Sequence, residues 1–351
     1  MVHAIFPSEK SLLLANYRAL KALSARTMPI RCGLSQKLLP SLNSFKTIMN
    51  IPFTRYRRVY FIFSAILILA SIISLFVFGL KPGIDFTGGS ILEIEYETNR
   101  PSNHEILEKL AELNLGTITL QPTGERGVIL RMRDIDEDLH QQVLQKLSEG
   151  EVKTKELRFE LIGPTVGREL KQKTKVVIIV SLLSILLYIA LAFRRVQRPL
   201  KSWQYGIASL LALFHDILIP LGIFSILGRF YGIEISIPVI CALLAVLGYS
   251  INNTVVVFDR IRENLFKREI SFEEIVDQSL NQTLTRQINT SLTTLFVASA
   301  IFVFGGETLK YFSLALVLGI IAGTYSSIFL AGSFLVSWYS RRLGWRQKKF
   351  S

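Results

Sequence analysis

Charge is scarce in this sequence and cysteine is nearly absent. Of 351 residues, 19% are charged and 50% are hydrophobic, whereas a soluble domain of this size carries about a quarter charged residues. The shortage is uneven. Long apolar runs alternate with short charged segments, which excludes one large soluble core and fits a chain that crosses a bilayer. The two cysteines, Cys32 and Cys241, are too few and too far apart for a disulfide framework, and no metal-ligand spacing surrounds them. No nucleophile–base pair and no nucleotide motif is present, so neither enzyme activity, nor ATP hydrolysis, nor a cofactor is expected. Acids are also missing from the first 50 positions. Glu9 stands alone there against Lys10, Arg18, Lys21, Arg26, Arg31, Lys37 and Lys46. Residues 1–50 read as a targeting presequence, as a basic disordered cytoplasmic extension, or as the product of a start codon placed too early.

The formal charge of +13 does not imply nucleic acid. Residues 80–172 hold 12 basic and 17 acidic residues, which leaves 28 basic and 10 acidic elsewhere. That excess lies in short connections between apolar runs, where it orients membrane insertion, and not on one folded face. Six runs reach the length of about 20 mostly apolar residues that a span needs. They lie at about Val59–Gly79, Val176–Phe193, Trp203–Gly228, Ile235–Phe258, Ile288–Phe304 and Tyr311–Trp338. Trp203, Tyr231, Tyr311 and Trp338 sit near predicted ends, where aromatic rings favour the headgroup region.

Lys and Arg concentrate before the first span, between spans two and three, between spans four and five, and in the tail. The two short links on the other side hold only Arg229 and Lys310. Both termini are therefore expected in the cytoplasm, with the acidic insert outside. The expected division is a first span over 51–80, an extracytoplasmic domain over 81–170, and a five-helix bundle over 171–338. The bundle contains a cytoplasmic connection at 259–287, and a basic tail covers 339–351.

The insert reads as a small α+β unit. Ser90–Glu97 alternates apolar and polar as a half-buried strand does. Pro101-Ser102-Asn103 opens a helix with Ile106, Leu107, Leu110 and Leu113 on one face. Thr117–Gln121 and Gly127–Arg133 are strands around a turn at Pro122-Thr123-Gly124. A helix over Ile135–Leu147 and a strand over Lys155–Ile162 complete a βαββαβ order, the ferredoxin-like split motif.

Five stretches carry function. Gly83-Ile84-Asp85-Phe86-Thr87-Gly88-Gly89 follows the first span. Its glycines are expected to supply turns with positive φ. It lacks the Lys-Ser/Thr ending of a phosphate loop and opens onto a strand. Ile162-Gly163-Pro164-Thr165-Val166-Gly167 re-aims the chain into the second span, either as a hinge or as a simple stop. His215-Asp216 lies inside the third span, and Asp216 follows Trp203 by 13 residues, which puts it near mid-membrane. A carboxylate there costs roughly 2.5–3.5 kcal/mol and is usually kept for ion or proton passage; the alternative is a structural ion pair. Adjacent helical residues point about 100° apart, which argues against a direct His215–Asp216 pair. The fourth stretch, GYSINNTVVVFDRIREN over Gly248–Asn264, groups Tyr249, Ser250, Asn252, Asn253 and Thr254, which must face protein or water. The fifth, Thr293–Gly306 with Phe312–Gly332, includes the small residues Gly319, Ala322, Gly323, Ser326, Ser327, Ala331 and Gly332, a close-packing face.

In combination and order, over about 50–338, these stretches resemble the SecF family, the smaller partners of SecD in bacterial protein export. The resemblance implies a twelve-span complex with SecD, related to the resistance–nodulation–division transporters, in the bacterial cytoplasmic membrane. It implies association with the SecY–SecE–SecG channel and the SecA motor, and use of the ion gradient to draw out a secreted polypeptide. The ion-coupling candidates are Asp216, His215, Asn253, Arg260 and Arg262. The family's Asn253 position is commonly an aspartate, so this chain lacks a titratable group there, and Arg260 and Arg262 serve equally well as cytoplasmic anchors. Gly83, Asp85, Phe86, Gly88, Gly89, Gly163, Pro164 and Gly167 are structural or hinge positions. A half-size exporter of small molecules or lipids, and a passive scaffold, are the competing readings; membrane lipid is a partner of all three.

Overall fold

The computed structural model describes residues 51–149, 153–193, 199–267 and 270–350. The basic extension over 1–50 lies outside them. Six helices are long and apolar enough to cross a membrane. The first is α1, Arg57–Phe78. It buries Ser64, Ser71 and Ser74 and exposes Val59, Ile62, Ile66 and Phe76. That arrangement inverts a soluble amphipathic helix, as expected where lipid takes the apolar side and other helices take the polar one.

The other spans are α5 (Pro164–Ala192), α6 (Ser202–Tyr231), α7 (Ile237–Lys267), α8 (Phe272–Phe304) and a composite sixth. The sixth joins α9 (Glu307–Tyr325), a π turn (Ser326–Leu330) and α10 (Ala331–Phe350). Small residues set the crossings. A Cβ on Gly222 of α6 would lie 2.5 Å from the Ser71 Cβ of α1, and one on Gly319 of α9 would collide with Val246 of α7.

Two predicted boundaries move. The second span starts at Pro164, twelve residues before the apolar run, because Pro at the first helical position is already preset for a helix. Lys171–Lys175 therefore lies within α5. The connection predicted over 259–287 is mostly helical. Helix α7 runs to Lys267, and α8 starts at Phe272 behind a reciprocal cap between Ser271 and Glu274. Phe272, Ile275, Val276 and Leu280 recur at helical spacing and join a core with Phe53, Phe258, Ile261, Leu335 and Val336. Residues around the start of α1 are tied to the same helix. The Thr54 N–H and hydroxyl both donate to Asp277, each at 2.8 Å, and the Ile51 N–H donates to Asn281 Oδ1 at 3.1 Å.

Between α1 and α5 stands a four-stranded sheet. After the one-turn helix α2 (Ile84–Thr87) come β1 (Gly89–Tyr96), α3 (Asn103–Leu110), β2 (Thr119–Thr123), β3 (Gly127–Met132), α4 (Glu137–Leu147) and β4 (Thr154–Ile162). The order is β2-β3-β1-β4 with every pair antiparallel. Leu92, Ile94, Val128 and Leu130 pack on Ile106, Leu110, Val143 and Leu147, each contributing about 1.5–3 kcal/mol. Leu107 does not join them and is exposed, because i, i+4 and not i+1 shares the face of Ile106. β2 extends through Thr123, so the turn falls at Gly124, which adopts a φ of 59°.

Candidate functional site

Asp216 lies midway along α6, 0% exposed, beside His215 at 1%. It is about 21–23 Å from either helix end at 1.5 Å per residue. His215 Nδ1 is 2.9 Å from Asp216 Oδ1. Adjacent side chains thus do meet, contrary to the expectation from their 100° separation: both curl toward the inside of the bundle, where no lipid competes. Oδ2 accepts from Ser326 Oγ at 2.7 Å and also from Ser250 Oγ. The carboxylate is therefore held by three donors drawn from α6, α7 and the first residue of the π turn. Among the described residues no Lys or Arg forms an ion pair with it; its ionic contact is to His215.

Local chemistry explains how the donors arrive. Ser326 opens a π turn, a helical irregularity common at functional sites. Gly323, one turn earlier, leaves the space: its Cβ would lie 3.5 Å from Asp216 Oδ2. Pro220 sits four residues after Asp216 inside the continuous α6 and has no N–H to offer the Asp216 carbonyl, so one helical hydrogen bond is missing at the carboxylate's own turn. The His215 ring stacks on Tyr325 with centroids 5.8 Å apart. Its Nε2 is buried without a hydrogen-bond partner among the described residues, and His215 lines a mostly apolar groove with Phe61, Phe214 and Phe334.

The remaining candidates divide. Asn253 is one turn beyond Ser250 on α7 and 3% exposed, and its Nδ2 has no partner among the described residues. It lies close along the helix to the Asp216 site without touching it. Arg260 and Arg262 stand elsewhere. Arg260 donates to Gln282 Oε1 and Glu263 Oε2, both at 2.5 Å, and Arg262 pairs with Asp259 at 2.8 Å. Ten residues of helix, about 15 Å, separate Arg260 from Ser250. In the sequence Ser250 belongs to a polar cluster and Ser326 to a packing stripe. Neither is recognisable there as a carboxylate donor, because only the pairing of α6 with α7 and the sixth span reveals that.

The two glycine motifs form one joint. Gly88 and Gly89 have φ of 76° and 137°. A Cβ on Gly88 would lie 2.8 Å from Pro164 Cα, and one on Gly167 would lie 2.9 Å from Gly88 N. The loop before β1 thus packs backbone-to-backbone on the start of α5. Gly83 differs from expectation: its φ is negative, and what crowds a side chain there is the Ile235 carbonyl oxygen, which would lie 3.2 Å from a Cβ at that position. Asp85 has a specific partner. Its Oδ2 accepts from the Ile237 N–H at 2.8 Å, which caps the first turn of α7 from outside that helix, where an anion is favoured. Gly163 precedes α5 with an ordinary φ of −64°, and Phe86 lies within α2.

Residues 142–341 match the family described as "Protein export membrane protein SecD/SecF, C-terminal", and residues 73–99 match the "SecD/SecF GG Motif". The protein translocase subunit SecF of Thermobaculum terrenum is 41% identical over 305 residues, covering 83% of this chain and 95% of that one. The subunit of the same name from Vibrio alginolyticus is 42% identical over 292 residues, covering 81% and 88%. The crystal structure of SecDF from Thermus thermophilus, described as a translocon-associated membrane protein, aligns with a TM-score of 0.72 at 35% identity. That alignment covers 83% of this chain and 39% of the SecDF chain.

Proposed function

The chain belongs to the SecD/SecF family as a SecF-type protein-export subunit, and from that premise we propose that Asp216 is where it exchanges the ion whose gradient assists export. One observation carries the reading: a fully buried carboxylate midway along a span, held by two hydroxyls and an imidazole, with no Lys or Arg paired to it among the described residues. Fixed dipoles can hold the negative charge, and a proton or a bound cation can replace that charge without moving a basic side chain. One charge crossing 100 mV supplies about 2.3 kcal/mol, enough to bias a conformational equilibrium more than tenfold.

The same reading sets the assembly. The exposed apolar faces of α1 and α5 meet SecD and lipid in the bacterial cytoplasmic membrane. Both termini lie in the cytoplasm, as the basic connections favour. The sheet unit is a ferredoxin-like domain on the outer side; its βαββαβ order and β2-β3-β1-β4 sheet support this. SecY–SecE–SecG, SecA and a secreted polypeptide complete the machine. The joint of Gly83, Gly88, Gly89, Gly163, Pro164 and Gly167 is the pivot of that domain.

The test is Asp216→Asn, which keeps size and hydrogen bonding and removes the titratable charge. The variant should insert, bind SecD and show thermal stability equal to or above the parent, because the neutral amide is easier to bury. Export stimulated by an imposed gradient should fall to the level seen without one. Normal gradient stimulation would end the coupling reading. A complex that falls apart in detergent would make Asp216 a structural residue.

A further inference from the structure

Asp216 is gripped by α6, α7 and the sixth span, and the outer ends of these helices are in turn gripped by the sheet unit. α6 and α7 are joined outside by residues 232–236, and the sixth span begins just beyond Gly306. Arg131 of β3 reaches Glu234 in the first link, Nε to Oε2 at 3.2 Å, with both side chains largely buried. Arg131 Nη1 also donates to Gln121 Oε1 of β2 at 2.8 Å, and Gln121 Nε2 donates to the Tyr311 hydroxyl, in the first turns of α9, at 2.9 Å. One chain of side chains, Glu234–Arg131–Gln121–Tyr311, therefore ties the sheet to the first link and to the start of the sixth span.

A second set of contacts is made by backbone and is of a different kind. The Ile235 N–H donates to the Lys81 carbonyl at 2.8 Å, and the Gly83 N–H donates to the Ile235 carbonyl at 2.9 Å. With the Asp85 cap on Ile237, these hold the root of the sheet unit to the membrane helices with short, stiff bonds. The side-chain set has hydrogen bonds equally short but hangs on long, rotatable side chains. Arg131 Nε is within ion-pair distance of Glu234 but not aligned to donate to it. Beside it opens a cavity of about 250 Å³ whose lining includes Asp85, Glu93, Arg131, Arg158, Glu160 and Glu234 together with apolar side chains.

We propose that the side-chain set is a releasable latch which couples the state of Asp216 to the position of the outer sheet unit, the backbone set being its fixed root. This coupling rests on the ion-site reading. When the charge on Asp216 is neutralised, the donors Ser250 and Ser326 lose their anion and α7 and the sixth span shift against α6. About thirteen to fifteen residues of helix, roughly 20 Å, carry that shift to the links, because helices move as rigid bodies and not by continuous deformation. The links part at the latch while the root holds, and the sheet swings. The latch also senses the outer solution. Burial pushes the Glu234 carboxyl up despite the opposing pull of Arg131 and Lys81, with Asp85 adding to the rise. Glu93, Glu160 and Arg158 face the same cavity; because the closed, buried latch holds the Glu234 proton more tightly than an opened, solvated one, acid on the outer side favours the closed state.

The experiment uses the full chain in complex with SecD, with Cys32 and Cys241 replaced by serine. Spin labels at Leu157→Cys on β4 and Phe230→Cys near the end of α6, both exposed, report the sheet-to-membrane distance. The distance distribution should shift on Asp216→Asn. With Glu234→Gln and Tyr311→Phe combined, it should broaden and stop responding to Asp216→Asn, while thermal stability stays near the parent. Gradient-stimulated export in this latch variant should fall about threefold or more. Glu234→Gln and Arg131→Gln should be non-additive in that fall, as residues acting through one contact are. If Asp216→Asn changes distance and export in the parent but the latch variant behaves like the parent, the latch is wrong and the ion site survives. If Asp216→Asn changes neither in the parent, both fall.

Discussion

Asp216, midway along α6, and Glu234, in the link just after that helix, are both carboxylates taken out of water, and the protein treats them in opposite ways. Asp216 is sealed, and its charge is met by two hydroxyls and one imidazole. Glu234 sits in the link between α6 and α7 with Arg131 and Lys81 at 3.2 and 3.9 Å and a cavity lined by further charged groups beside it. A carboxylate faced by a guanidinium loses its charge only if that cation finds new partners or water. One held by dipoles can, since a serine hydroxyl rotates and serves as donor or acceptor alike. Partner type, more than burial, therefore separates a carboxylate suited to exchanging an ion from one suited to gripping a neighbour.

Truncating each in turn should have the strongest consequences. Asp216→Ala removes the common acceptor of three buried donors and leaves a void, so it should be less stable than Asp216→Asn by about 2–4 kcal/mol. Glu234→Ala should cost about 1 kcal/mol or less, because Arg131 can turn into the adjoining cavity and find water. Thermal melting of the SecD complex in detergent measures both. Equal losses would remove the contrast between a sealed site and a vented one.

A smaller effect separates the two serines of the π turn. Ser326 donates to Asp216, whereas Ser327, its neighbour, donates to Gln287 Oε1 at 2.8 Å. Ser326→Ala should lower gradient-stimulated export and weaken the ionised site by about 1.5–3 kcal/mol, the usual range for a hydrogen bond to a charge. Ser327→Ala should cost about 0.5–1.5 kcal/mol of stability and leave the gradient response in place. A gradient response lost equally in both would mean that the π turn matters for packing alone.

What the sequence made legible follows from where its signals are local. Six spans follow from hydropathy, and Asp216 stands out because a carboxylate in an apolar run violates that pattern. The β-strands and helices of the insert follow from period and caps, as at Ser102 and Glu105, which cap each other. Partners are not legible. Nothing in the spacing of Ser250 or Ser326 says that they converge on position 216, since the crossing of α6, α7 and the sixth span is a tertiary fact. Gly83 and Asp85 are expected as turn and motif residues, yet the one makes room for the Ile235 carbonyl and the other caps Ile237, both some 150 positions away. Glu234 draws no notice, because a single acid in a short link looks like ordinary solvation until Arg131 is seen against it.

The finest difference, and the sharpest in sign, is the pH dependence of Glu234. An ion pair with two cations would normally lower a carboxyl pKa. Here burial outweighs that attraction and the net shift is upward. A carboxyl with a folded pKa above its unfolded value, about 4.3 for glutamate, binds its proton more tightly when folded. Its contribution to stability is then fully present below the unfolded value and is lost as pH rises through the folded one. Glu234→Gln should accordingly be as stable as the parent or slightly more so near neutral pH, by about 1 kcal/mol at most. The parent should gain on it as the solution is acidified from about pH 8 toward pH 4. Thermal midpoints of the two complexes across that range give the difference directly. A parent that is more stable at neutral pH and loses this advantage on acidification would show the opposite linkage. Glu234 would then be a stabilising ion pair of the ordinary kind, and acid would open the latch instead of favouring its closed state.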